Sequence, residues 1–290
     1  METVTFSELF VKFLITLFVV PAVGALITGV DRRITARIQG RFGPPILQPV
    51  YDVLKLFEKE SVILNRSQIV FVYLHLAFMI TAILFILLGR DLLMVLFVQA
   101  FSTISLILGG MSVYSPYSRI GSQREIMQLI SYEPIMVLLV IGVYLMNNSF
   151  MVKDLTNTGK PLLFSLPLIF VAFLIAMTIK LQKSPFDFST SHHAHQEIVK
   201  GITIEYSGKY LAVIEITHCY KVVLVLAFVA MFWATNIVIG ILLALLCYFG
   251  EIIVDNAFAR LRVFWMFRYM WTVAFVLALT NIIWIYLWRM

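Results

Sequence analysis

Charge and cysteine are what this sequence has least of. Asp, Glu, Lys and Arg make up 13% of its 290 residues, against roughly 25% in soluble domains. So few polar side chains cannot cover a water-soluble core of this size, which excludes a single soluble α/β enzyme. The two cysteines, Cys219 and Cys247, both lie inside apolar runs. An iron–sulfur cluster takes about four thiolate ligands, so the chain cannot carry one alone. A disulfide is not expected either, because neither cysteine sits in a loop facing an oxidising compartment. The sequence has no Walker loop, no G-x-G-x-x-G after a strand and no Ser/His/Asp order that would support hydrolysis. No catalytic residue, nucleotide or resident metal is therefore expected. The N-terminus carries Glu2 and Glu8 with no basic flank or small-residue cleavage site, so no cleaved signal peptide is expected.

What is present is hydrophobic: 61% of residues, with a mean hydropathy of +0.95. One membrane crossing takes about 20 apolar residues. Apolar windows fall at about 9–30, 69–88, 92–113, 126–146, 161–181, 210–231, 236–254 and 269–288. The expected fold is an all-α polytopic membrane bundle of about eight helices, one integral membrane domain over 1–290. No loop is long enough to stand as a soluble domain.

The loops alternate in charge. Those after the first, third, fifth and seventh crossings hold 16 of the 22 Lys and Arg residues. Under the positive-inside rule, loops of about 31–68, 114–125, 182–209 and 255–268 face the cytoplasm and both termini face outside. The net charge of +6 thus reads as an orientation signal, with lipid rather than nucleic acid as the partner. After Gly43-Pro44-Pro45 a short amphipathic helix is expected at the interface, with Val50, Val53, Leu54 and Phe57 on one side and Asp52, Lys55, Glu58 and Lys59 on the other.

Several ionisable residues fall where lipid should be. An acid at a helix centre costs roughly 2.5–3.5 kcal/mol. Yet Glu133 lies in the fourth crossing, Glu215 in the sixth and Glu251 near the end of the seventh. His218 follows Glu215 by three residues, on the same helix face, with Lys221 beyond. Such groups face bundle interiors or water-filled paths and suit proton or cation transfer. Structural readings stand beside this one. Glu251 and Asp255 could pair with Arg260 at the headgroup boundary, Glu215 with His218 could be a polar clasp, and Glu133 could satisfy backbone freed by Pro134.

The most polar stretch, QKSPFDFSTSHHAHQEIVKGITIEYSGK at 182–209, holds His192, His193 and His195 with Asp187, Glu197 and Glu205. Histidine and carboxylate ligate zinc, but H-H-x-H is not the i, i+4 pair of a zincin helix and no cysteine assists. A pH-sensitive hydrogen-bonded loop or proton entrance is expected, with a plain solvated loop as the alternative. Arg37, Arg41, Arg119, Arg124 and Arg260 are candidates for contact with anionic lipid or a partner's acidic surface.

Four motifs carry a family resemblance. DRRITARIQGRFGPPILQPVYDVLKLFEKE, REIMQLISYEP around Glu133, SPFDF around Asp187 and EYSG at Glu205 to Gly208 resemble the H subunit of respiratory complex I over nearly the whole chain. The complex I proteins usually follow PFD with an acid-rich run; here FSTSHHAHQEIVKG stands instead, three residues longer, with His193 and His195 in place of glutamates. In the sixth crossing the family's acid falls where His218 stands, and Glu215 lies one turn earlier. The STSHHAHQE form resembles the membrane subunit of group 4 energy-converting [NiFe]-hydrogenases, Ech-type and carbon-monoxide-linked enzymes above all, with formate hydrogenlyase close behind.

That resemblance implies an anchor for a hydrogenase that oxidises ferredoxin, reduces protons to dihydrogen and exports H⁺ or Na⁺. The [NiFe] centre and iron–sulfur clusters would sit in the hydrogenase large and small subunits and a ferredoxin-like subunit, none in this chain. An antiporter-like membrane subunit would be a further partner. Glu133, Asp187, Glu197, Glu205 and Glu215 would mark the ion path. The alternative is the quinone-pocket subunit of a complex I-like NADH or ferredoxin dehydrogenase.

Overall fold

A computed structural model describes residues 6–157, 161–187 and 200–289. Among the described residues it is helical, with no strand beyond one isolated bridge between Asp91 and Met151. Seven helices are long and apolar enough to span a bilayer. They are α1 (Phe6–Ile38), α3 (Arg66–Leu87), α4 (Leu92–Met111), α5 (Pro116–Asn147), α7 (Gly208–Met231), α8 (Ile237–Ala257) and α9 (Val263–Leu287). Between them lie the amphipathic α2 (Gln48–Glu58) and the short α6 (Pro167–Lys180).

In the fifth expected crossing, at 161–181, α6 has only 14 residues, about 21 Å at 1.5 Å per residue, short of a 30 Å hydrocarbon core. A single turn at Leu162–Ser165 precedes it, and Leu166 alone separates the two, with Pro167 opening α6. Leu163 N–H donates to Phe232 O at 3.1 Å, which sets this turn beside the end of α7. The start of α6 is completed by another helix: the buried Asn281 of α9 accepts from Leu168 N and Ile169 N, both at 3.1 Å. Those amides lack partners within their own helix, and a side chain about 112 residues later supplies one for both.

Elsewhere the helices overrun the expected windows. α5 begins at Pro116 rather than near 126, so most of the 114–125 stretch is helix, and α1 continues through Asp31 and Arg33 to Ile38. Caps fix several starts by the usual side-chain acceptor: Asn65 takes Ser67 N, Asp91 takes Leu93 N and Asn236 takes Val238 N. In α2, Val50, Leu54 and Phe57 stay exposed, while Asp52 and Lys55, with Lys59 just past the helix, line a cavity. Val53 departs from expectation and lines it too.

The core runs through the centre of the bundle, where Phe173, Tyr220, Phe228 and Phe232 are fully buried. Two glycines allow backbones to meet. A Cβ on Gly29 would fall 1.8 Å from Ile46 O, so no larger residue lets the lead-in to α2 lie on α1. Gly208, at φ +51°, starts α7 with Lys59 O and Glu60 O each 2.8 Å from where a Cβ would stand.

Candidate functional site: a charged cavity at the basic end of the bundle

The cavity, about 740 Å³, opens at the end of the bundle that gathers the basic loops. α1 contributes Asp31, Arg32 and Thr35. Its side is closed by the polar face of α2 and by Glu215, His218 and Cys219 of α7. Its deep end reaches His75 and Met79 of α3, Thr103 of α4 and Lys221 of α7. Cations (Arg32, Lys55, Lys59, Lys183, Lys200, Lys221, Arg260) and acids (Asp31, Asp52, Glu125, Asp187, Glu215, Asp255) share the lining. Ionisable groups at such depth in a membrane bundle characteristically line ion or proton paths.

Asp31 is the hub of its wall. Its Oδ2 accepts from Lys183 Nζ at 2.7 Å and from Tyr248 Oη at 3.0 Å. The Lys183 ammonium also lies 4.5 Å from the Tyr248 ring centroid, within cation–π range. The segment 182–187 is tied down from other helices as well. Gln182 donates to Glu125 at 2.9 Å, Ser184 N to Asp255 at 2.9 Å, and Gln128 to Phe186 O at 2.6 Å. Leu261 N donates to Pro185 O at 3.1 Å and Arg260 pairs with Asp187. These ties anchor the entry to the histidine-rich stretch against α1, α5, α8 and the turn before α9.

At the mouth, Arg32 holds Asp52 at 2.7 Å and Gln48 holds its second oxygen at 2.8 Å. Partial burial pushes the Asp52 carboxyl up, but these hydrogen bonds and the charge of Arg32 bring it below the usual carboxylate value. At the deep end, His75 Nδ1 stands 2.8 Å from both Ser102 O and Ser102 Oγ. That contact fixes the ring and leaves its other nitrogen for the cavity.

Of the residues singled out from sequence, Asp187, Glu215, His218 and Arg260 come together in this cavity. Glu251 is buried one turn from Tyr248, within electrostatic reach of Lys183 and Asp255 but behind the cavity wall. Its pairing with Arg260 does not form, because Arg260 binds Asp187 and Asp255 accepts from Ser184. Glu133 lies deeper in α5, off the cavity lining and within electrostatic reach of Lys180 of α6. Glu205 stands in the turn before α7, off the cavity lining. His192, His193, His195 and Glu197 lie outside the described residues. Arg37, Arg41 and Arg119 are exposed at the basic end, Arg37 over Phe42 and Arg119 over Tyr114, and Arg124 is half-buried.

Sequence reading missed Asp31, His75, Glu125, Lys180 and Lys183. Four of them sit towards the ends of apolar runs, where they look like ordinary loop charges. His75, within an apolar run, was the one with a signal: an ionisable group at membrane depth.

The profile of the NADH dehydrogenase family matches residues 11–286. Among curated relatives, the H subunit of NADH-quinone oxidoreductase from Geobacillus sp. (strain WCH70) is 34% identical over 200 residues, covering 61% of this chain and 59% of the relative. Its counterpart from Bacillus cytotoxicus is 31% identical over 232 residues, 71% of this chain and 69% of the relative. The chain thus spans about 59% of the length of the Geobacillus relative. Among solved structures, a chain of the membrane-bound sulfane sulfur reductase, an archaeal respiratory membrane complex, superposes with a TM-score of 0.88. That match has 24% identity and covers 96% of this chain and 99% of the other, so it shows a shared fold. On the family match and these two relatives together, this chain belongs to the NADH dehydrogenase family, as a homologue of the complex I H subunit.

Proposed function

We propose that this chain is the ion-translocating anchor and coupling subunit of a group 4 energy-converting hydrogenase complex in the cytoplasmic membrane. The observation that carries the reading is the charge-lined cavity, open at the basic end and reaching inward to His75 and Lys221. The positive-inside rule places that end in the cytoplasm, where cluster-bearing partners would dock on the loops. The chain supplies no redox centre; hydrogenase large and small subunits and a ferredoxin-like subunit would hold the [NiFe] and iron–sulfur groups. An antiporter-like membrane subunit would receive the ion path.

In this reading a charge change in the docked partner acts first on the mouth, through the Arg260–Asp187 and Lys183–Asp31 pairs. Glu215 and His218 then take up and release protons along the cavity wall, and Glu133 with Lys180 continues the path within the bundle. The test is Glu215→Gln, which keeps size and hydrogen bonding but cannot carry a proton. In sealed vesicles making dihydrogen from reduced ferredoxin, ion export per dihydrogen should fall. Turnover of the detergent-solubilised complex with artificial donors should stay near wild type. Wild-type export per dihydrogen would make Glu215 a structural clasp.

A second reading is favoured by cavity size. Small-molecule pockets run about 300–1,000 Å³, so a quinone headgroup fits by volume, and the relatives' name includes quinone oxidoreductase. Such pockets are mostly apolar, whereas this lining carries charges of both signs. Labelling of the cavity by a photoreactive quinone, competed by unlabelled quinone, would favour this alternative.

A further inference from the structure

The outward face of α1 is apolar and then abruptly basic. Val19, Val23, Leu26, Val30, Arg33 and Arg37 follow one another at steps of four and three, so they share one side of the helix. All six are exposed. From Val19 to Val30 the stripe runs about 17 Å at 1.5 Å per residue, close to half of a 30 Å hydrocarbon core. Arg33 and Arg37 follow in the next two turns, at the depth of the headgroups.

The two sides of α1 differ in a way that separates lipid from protein as the neighbour. Helix–helix contacts in membranes favour Gly, Ala, Ser and Thr, which let backbones approach. On its inward side α1 sets Gly24 against Cys219 and Gly29 against Ile46, with Ala25 and Ala36 also buried. The outward stripe holds only Val and Leu before its arginines, so a second helix finds no small residue to approach there.

The two arginines also differ from their neighbours in what they bind. Arg32 pairs with Asp52, Lys183 with Asp31 and Arg260 with Asp187. Neither Arg33 nor Arg37 has an acid partner among the described residues. Arg37 instead lies 5.1 Å from the ring centroid of Phe42, a residue 92% exposed. The turn at Gly40, with φ +69°, sends the chain back along α1, and a Cβ on Gly43 would stand 3.0 Å from Arg33 Cα. An exposed aromatic ring is thereby held at the level of the arginines. The negative end of the helix favours cations, but it does not by itself put both on the stripe that faces lipid.

We propose that Arg33 and Arg37 bind the phosphodiester of an anionic phospholipid in the leaflet at the basic end, its acyl chains lying along Val19 to Val30. Guanidinium forks match phosphate oxygens. Two cations at one headgroup select against a zwitterionic lipid, whose choline brings a third.

The test places the intact complex in phosphatidylcholine bilayers carrying a trace of photoreactive phosphatidylglycerol or of photoreactive phosphatidylcholine. Crosslinks are located by peptide mass spectrometry. The phosphatidylglycerol probe should label the segment 30–42 several-fold more than the phosphatidylcholine probe. Arg33→Gln/Arg37→Gln should bring the two to the same level, whereas Arg33→Lys/Arg37→Lys, which keeps both charges, should retain a preference for the anionic probe. Added NaCl should shrink the preference, because these charges are exposed. Inorganic phosphate at matched ionic strength should not compete; competition would make this a site for a free anion and overturn the lipid assignment. Equal or absent labelling of the wild-type segment by the two probes would overturn it too. So would a segment that labels in the isolated chain and is silent in the complex, since a partner subunit then covers the face. The wild-type arms decide the matter even if a variant fails to assemble. No arm depends on turnover, so the site stands or falls separately from the ion-path reading.

Discussion

Asp31→Ala should cost more stability than any other single charge removal at the cavity. The Asp31 and Lys183 side chains are 14% and 10% exposed, so the pair is close to fully buried. Removing one partner of a buried pair costs about 3–5 kcal/mol, because the remaining charge is left uncompensated. The residual exposure argues for the low end, about 3 kcal/mol, or a hundredfold in the unfolding equilibrium at 1.36 kcal/mol per tenfold. Tyr248 also loses its acceptor at 3.0 Å, whereas Asp31→Asn keeps one and should cost less. Lys183→Met removes the charge that needs a partner. The double change Asp31→Ala/Lys183→Met should therefore be more stable than Asp31→Ala alone. The assay is built in: Cys219 and Cys247 are both buried and free, so a thiol-reactive dye reports unfolding of the purified chain in detergent as they emerge. Equal melting of Asp31→Ala and wild type, or strictly additive single effects, would refute the hub.

Three more outcomes follow from the packing. Gly29→Ala should cost about 1–3 kcal/mol, typical of overpacking, and loosen α2. A cysteine placed at Val53 should then react faster with thiol reagents. Asn281→Leu should cost about 2–6 kcal/mol for two backbone amides left bare, at about 1–3 each, with hydrogen exchange rising at Leu168 and Ile169. The depressed Asp52 carboxyl contributes stability that is complete above its ordinary value of 3.8 and fades as pH falls through the lowered one. Opening of α2 in hydrogen exchange should rise in that acid range for wild type and show no such pH dependence in Asp52→Asn. Because the pair is about two-fifths exposed, added salt should weaken the effect.

Seven of the eight expected crossings and the gathering of charge at one end were readable because hydrophobic run length and charge bias are local. Glu215, His218 and Glu133 stood out as ionisable groups inside apolar runs, and the structure gives the first two a cavity and sets Oε1 of the third in the bundle without a hydrogen-bond donor. The start of α5 was missed because Arg119, Arg124 and Glu125 read as loop, although they are good helix formers. The Asp31–Lys183 pair was missed for a different reason. Its members lie 152 residues apart, and each alone looks like the basic or acidic end of a crossing. The break at Leu166 and Pro167 was signalled by proline, but nothing local shows where the start of α6 finds its acceptor. Long-range pairing of this kind leaves no periodicity to read.

The loan of Asn281 to α6 also sets an order of events during synthesis. At 5–20 residues per second, the roughly 112 residues between Ile169 and Asn281 take about 6–22 s to make. Throughout that interval the short helix sits in the bilayer with its leading amides bare, and only the arrival of the last helix closes them. A chain terminated before Asn281 can insert all its earlier spans and still never complete α6. Completion of the short helix thus waits on one amide oxygen made about 112 residues later.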